Sequence, residues 1–173
     1  MLRWLTITTC LLAAGLACGD GEVIYRDHEV FFDYDPDEVQ AGVEKALIPG
    51  IYEEQLFRRL EPSDPLHIVA GFQGGIWVHL SLRVTGMRSR GQIEATLHLE
   101  DEQPVGATAF SIKLVRTAEG YLEAYDIPIP VGGRGASMED IDHLFGQTAT
   151  LTLRYTADDV VVEETAIVVL ERG

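Results

Sequence analysis

Beyond Leu66 the chain alternates hydrophobic and polar residues with a period of two, the spacing of a strand with one face in a core and the other in water. In the run 75–86, Ile76, Val78, Leu80, Leu82 and Val84 share one face and Trp77, His79, Ser81, Arg83 and Thr85 the other. The alternation resumes over 92–100 after Ser89-Arg90-Gly91, which predicts a hairpin between these two strands. Further strands are predicted at 107–115, 121–131, 148–155 and 160–170, separated by turns at 101–106, 118–120 and 157–159. Before this region, Asp37 as N-cap, Glu38 in a first turn, and apolar Val39, Val43, Ala46 and Leu47 predict one short helix ending before Pro49-Gly50. Residues 53–60 fit either a continuation of it or irregular chain. Seven or eight short strands without alternating helices predict an all-β protein, specifically an antiparallel immunoglobulin-like β-sandwich with one short N-terminal helix. The Cys-Trp-Cys hallmark of antibody domains is absent, so the likeness is to the architecture alone.

Residues 1–17 carry one positive charge, an apolar run and then small residues, the pattern of a secretory leader. The run is too short to span a bilayer as a helix, which needs roughly 20 apolar residues. Gly15-Leu16-Ala17-Cys18 resembles the lipobox of bacterial lipoproteins, departing from it at Gly15, where a leucine is usual. That resemblance implies lipidation of Cys18 as the first residue of the mature chain. The +2 residue, Gly19, implies the outer membrane, in the periplasmic or the surface leaflet. The alternative is an ordinary leader and a soluble secreted protein. Three segments follow: a signal peptide over 1–17, an acidic tether with an edge strand over 18–36, and a single domain over 37–173.

The formal charge of −15, with 28 acidic against 13 basic residues, changes the choice of partners. Phosphate neutralisation needs clustered Lys and Arg, so a nucleic-acid binder is excluded, and so is docking on anionic lipid through a basic patch. Loss of Arg3 with the leader takes the charge to −16. With Cys10 removed and Cys18 lipidated, neither of the two cysteines is left for an intrachain disulfide, and the domain must rely on its core. About 155 residues suffice, since a domain of that size buries roughly 68–70% of the surface of its unfolded chain.

Candidate chemistry is sparse. Asp33, Asp35 and Asp37 occupy positions 1, 3 and 5 of a calcium loop and Glu44 position 12, where a bidentate carboxylate belongs. Glu38 stands where such a loop needs glycine, and Pro36 stiffens its middle. An acidic linker ending in an Asp N-cap explains the same residues, with weak, millimolar calcium binding as the minor reading and no other cofactor expected. The five histidines have no paired-ligand spacing, although His79 and His98 would face each other across the predicted hairpin. Asp140, Asp142 and His143 could serve a hydrolase, but Ser137 capping a single helical turn accounts for the cluster without function. No GxSxG elbow, GxGxxG or Walker loop is present. The most distinctive stretch is Gly71-Phe72-Gln73-Gly74-Gly75-Ile76-Trp77-Val78, whose glycines most simply allow a positive φ or a bulge. Its functional reading makes Phe72, Gln73, Trp77 and His79 a platform for a peptide or sugar.

The same stretch, with Asp64-Pro65-Leu66 before it and Gly146-Gln147-Thr148-Ala149-Thr150-Leu151 near the end, resembles a group of lipoproteins of myxobacteria and related bacteria. Those share a G-x-Q-G-G-x-[HW]-V turn and a Cys-Gly-Asp-type mature start. The resemblance implies a secreted β-rich fold and carries no activity with it. Together these features predict a non-catalytic accessory module for another envelope protein, anchored in the membrane through Cys18. The alternative is a glycan- or calcium-binding surface module.

Overall fold

The computed structural model describes residues 23–26, 29–32, 39, 42–54, 56–71, 75–100, 104–133 and 135–173. The strands in chain order are β1 (Val23–Arg26), β2 (Glu29–Phe32), β3 (Ala46–Glu53), β4 (Leu56–Arg59), β5 (Asp64–Ala70), β6 (Ile76–Thr85), β7 (Arg90–Leu99), β8 (Pro104–Lys113), β9 (Val115–Arg116), β10 (Leu122–Pro130), β11 (Thr148–Ala157) and β12 (Val160–Arg172). One 3-10 turn, Asp142–Leu144, precedes β11.

The all-β expectation holds, and the alternating pattern explains how the strands pack. The even-numbered residues of β6 from Ile76 to Val84 are buried, as are Ile93, Ala95 and Leu97 of β7 and Leu151, Leu153 and Tyr155 of β11. In β10 the period breaks once: Leu122 and Ala124 point inward, then Ile127 and Ile129 do. Tyr125 and Asp126 stand opposite the single residue Ser81, a β-bulge of one extra residue with Asp126 at φ 51° that restores the apolar face to the core.

β1 and β2 pair with each other in a small antiparallel sheet, and the other ten strands form one continuous mixed sheet, not a purely antiparallel set. Its order is β4-β3-β6-β5-β12-β11-β7-β8, with β10 on the far side of β6. On its near side β6 holds β5 at residues 76–78 and β3 at 81–85. β12 lies parallel to β5, Val168 opposite Asp64 through Arg172 opposite Ile68. The sheet curls until its last strand returns to β10: Gly106 bridges Val131, the Gly132 N–H donates to the Val105 carbonyl at 3.1 Å, and β9 pairs with Leu122 and Glu123. Gly106 permits this approach, because a Cβ there would lie 2.8 Å from the Pro130 carbonyl oxygen.

Two local expectations are corrected. The predicted helix ends within described residues, and there Gly42 is a turn at φ 81° while Ala46 and Leu47 already belong to β3. Leu47 and Pro49 are buried at strand spacing, so the apolar spacing that resembles a helical face is the start of a strand. The predicted hairpin between the strands at 75–86 and 92–100 does not form. β6 pairs with β3, β5 and β10, whereas β7 pairs with β8 and β11. Met87 and Ser89 in the connection are buried, so the chain crosses the core between them.

Candidate functional site

Trp77 projects outward from the first turn of β6 with Val69 of β5 and Pro130 of β10 opposite it. Its indole lies against the backbone of Gly71 and Gly75: a Cβ on Gly75 would sit 2.4 Å from Trp77 Cζ2, and one on Gly71 2.6 Å from Nε1. The Gly71 N–H closes the turn on the Gly75 carbonyl at 2.7 Å. Neither glycine has a positive φ, so both are required by the ring they make room for and not by the turn.

Beside the half-buried indole is an open pocket of about 600 Å³ at the end of the sheet where β8 returns to β10. Trp77, Pro104 and Pro130 provide rings, and Gly75, Gly106, Gly133 and Gly135 expose backbone. None of the ten described residues that line it is charged, in a chain of formal charge −15. These described residues favour an apolar or ring-shaped group, and none of them is an acid, base or nucleophile.

Of the predicted platform, Trp77 lies in this pocket. His79 is exposed on the same face, opposite Pro128 and outside the lining. Phe72 and Gln73 lie outside the described residues. So do Cys18, the leader, and Asp33, Asp35 and Asp37 of the calcium-loop reading. Glu44 is exposed in the irregular chain just before β3, with its carbonyl accepting a hydrogen bond from the Thr85 hydroxyl at 2.8 Å. Among the described residues no three His, Cys, Asp or Glu side chains gather to hold a metal, and no helix is long and apolar enough to cross a membrane.

His79 and His98 do not meet, since His98 stands opposite Thr150 of β11. The Asp140 cluster is held apart by its own partners. Asp140 accepts from the Ser137 N–H at 2.8 Å and hydroxyl at 2.7 Å, and these bonds lower its pKa, the backbone one most. Asp142 pairs with Arg172 at 2.6 Å, whose guanidinium also stacks 4.8 Å from the Phe145 ring. His143 is exposed.

A second constellation escapes any local sequence signal. Glu123 of β10 is only 2% exposed despite facing outward, because Arg83 of β6 donates to it from Nε and Tyr125 donates to its other oxygen. Arg83 lies between two rings, 4.4 Å from the Phe57 centroid and 4.6 Å from that of Tyr121, and Tyr52 meets Tyr125 edge-on at 4.7 Å. Phe57 lies over Gly50, which leaves Ser81 buried beneath an aromatic cover. The group clasps β4 and the 117–121 turn onto the sheet. No protein-family model matches the chain, and neither does any curated protein.

Proposed function

We propose that the protein is a non-catalytic binding module of the bacterial cell envelope, held in the outer membrane by a lipid on Cys18, that docks on another envelope protein. The observation that carries this reading is the Trp77–Pro104–Pro130 pocket, whose described lining residues carry no charge on an otherwise acidic chain. Its volume falls within the 300–1,000 Å³ typical of ligand sites and fits an apolar side chain of the partner, whose burial supplies about 1.5–3 kcal/mol. A half-buried tryptophan lining a pocket is the kind of residue on which interface energy concentrates. The Gly15-Leu16-Ala17-Cys18 sequence supports the anchor, and the curled halves of the sheet support an immunoglobulin-like sandwich as the scaffold.

The test is in-cell crosslinking of tagged protein from isolated membranes, read by mass spectrometry, with Cys18→Ala and Trp77→Ala beside wild type. The reading expects a stoichiometric partner that Cys18→Ala loses and that Trp77→Ala captures at least tenfold less. Undiminished capture by a folded Trp77→Ala variant would remove the pocket from the interface.

The alternative, a glycan-binding module, draws on the outer face beside the pocket. Across β12, β11, β7 and β8 the cross-strand rows read Ile167–Thr150–His98–Pro104 and Thr165–Thr152–Thr96–Ala107, with hydroxyls and methyls and no formal charge. Pro104 and Ala107 belong to both the rows and the pocket. Soluble cell-wall or exopolysaccharide fragments should then raise the melting temperature, and no shift at millimolar concentration would sink this alternative. Calcium at the same concentration tests Asp33, Asp35, Asp37 and Glu44.

A further inference from the structure

β12 has 13 residues, yet β5 covers one side of it only at 168–172, while β11 pairs with the other side over 160–169. Along 160–167, the single main-chain bond on the β5 side among the described residues runs from the Ser63 N–H to the Ile167 carbonyl at 2.8 Å. The alternation of an antiparallel ladder identifies the open groups. Leu170 exchanges bonds with Gln147 and Gly146, on the β11 side, and the register from 160 to 169 has no bulge. Even-numbered residues therefore turn their main chain to β11. Val161, Glu163 and Thr165 turn theirs, like the Ile167 carbonyl, to the open edge.

The side chains along this edge are also exposed. Val161 and Ile167 are each 43% accessible, and Glu163, Glu164 and Thr165 are exposed between them. An edge of this length with apolar residues and no proline or lysine is a template for strand addition. We propose that the 161–167 edge of β12 receives an extended, basic segment of a partner protein as an added strand, a site separate from the Trp77 pocket.

The charge selects the occupant. If a second copy paired here about a two-fold axis, registers centred near the middle of the edge would set Glu163 against Glu163, Glu164 against Glu164, or one against the other, and like charges directly opposite are destabilising. Arg154 stands across from Glu163 on β11 and offsets one of the two carboxylates. Asp159 in the turn before β12 adds further negative charge near one end, while its neighbour Asp158 is paired with Arg88 at 2.5 Å. A strand with Lys or Arg beside Glu163 and Glu164, and with apolar residues near Val161 and Ile167, complements the edge in both respects.

The probe is a fluorescein-labelled peptide of five Lys-Val repeats, titrated into the full chain in neutral detergent and followed by anisotropy, with a Glu-Val peptide as its counterpart. The Lys-Val peptide should bind, and residue-resolved hydrogen exchange should show new protection at Val161, Glu163 and Thr165 but not at Val162 or Glu164. Glu163→Lys should weaken binding at least tenfold, against less than twofold for the same charge change at Glu94 on β7. Thr165→Pro removes an outward N–H without breaking a bond to β11 and should also abolish binding; if it fails to fold, the Glu163→Lys comparison and the exchange pattern still decide. Equal effects of Glu163→Lys and Glu94→Lys, or protection elsewhere, would overturn the proposal as non-specific attraction. Self-association of the full chain that Thr165→Pro removes would overturn it in favour of a second copy. Failure here leaves the pocket reading intact, since that reading rests on Trp77→Ala.

Discussion

Arg83→Met should be among the most damaging single substitutions in the protein. Removing one partner of a buried ion pair costs about 3–5 kcal/mol, because the remaining charge is left without compensation. Glu123 is 2% exposed and fits that case, while Arg83 keeps 23% of its side chain in contact with water, which places the expected loss near the lower end, about 3 kcal/mol. Tyr125 still donates to Glu123, so the carboxylate is not wholly abandoned. The stacking of the guanidinium on Phe57 and Tyr121 adds roughly 0.5–1 kcal/mol per ring. At roughly 2–4 °C per kcal/mol for a chain of this size, the melting temperature should fall by at least about 6 °C. The double variant Arg83→Met/Glu123→Met removes both charges and should recover the ion-pair part of the loss, leaving about 1–2 kcal/mol from the two lost ring contacts. Urea unfolding supplies the assay, with stability taken from the midpoint at an unchanged m-value. A loss under 1 kcal/mol for Arg83→Met, or a double variant as damaged as the sum of the singles, would refute the clasp as a coupled charge pair.

Three further outcomes follow from neighbouring contacts. Gly75→Ala forces a methyl within 2.4 Å of Trp77, so it should cost about 1–3 kcal/mol and red-shift the indole emission in a Trp4→Phe background; an unchanged spectrum would contradict the packing. Tyr155→Phe removes the buried hydroxyl that donates to the Arg88 carbonyl at 2.8 Å, and should cost about 0.5–1.5 kcal/mol in urea unfolding at neutral pH. Burial chiefly, and the Asp158 charge next, raise the Tyr155 pKa in the folded state, so wild type should lose stability as pH rises beyond about 10 and Tyr155→Phe should not share that loss. The Glu61 N–H, and after it Arg58, hold the Asp64 carboxyl below its ordinary range. Stability from Asp64 is therefore present above about pH 4 and disappears as pH falls through the lower folded value, so the melting-temperature gap between wild type and Asp64→Asn should close on acidification; a gap constant from pH 6 to 2 would contradict the linkage.

From β6 onward, the strands were legible from alternation alone. Ile76 to Val84, Ile93 to Leu97 and Ala149 to Tyr155 each place their apolar set on one face, and a buried face fixes that pattern whatever lies beside the strand. Partner choice was not legible, because period two is blind to neighbours. Ser89-Arg90-Gly91 has turn chemistry that fits a hairpin, and only the burial of Met87 and Ser89 reveals a connection that crosses between layers. The parallel meeting of β5 and β12 joins residues about a hundred positions apart and leaves no local trace. At 43–47 the apolar positions satisfy a helix and a strand start equally, and Gly42, Pro49 and the pairing with β6 select the strand. The outward position of Trp77 could be read directly. Its pocket could not, since Pro104 and Pro130 arrive from strands whose meeting depends on the close approach at Gly106.

The placement of β12 has a consequence for how the native state is reached during synthesis. This strand follows every other one in chain order yet lies in the interior of the sheet, between β5 and β11. Until the ribosome has delivered residues 160–172, β5 lacks its parallel neighbour and β11 its partner, and among the described strands the two flanks of the sheet meet only where β8 returns to β10. Folding is therefore postponed, with long-range closure as its final and slowest step. A nascent chain that has not yet delivered residues 160–172 leaves the apolar faces of β5 and β11 without the strand that lies between them. It depends in that interval on whatever keeps incomplete chains from aggregating.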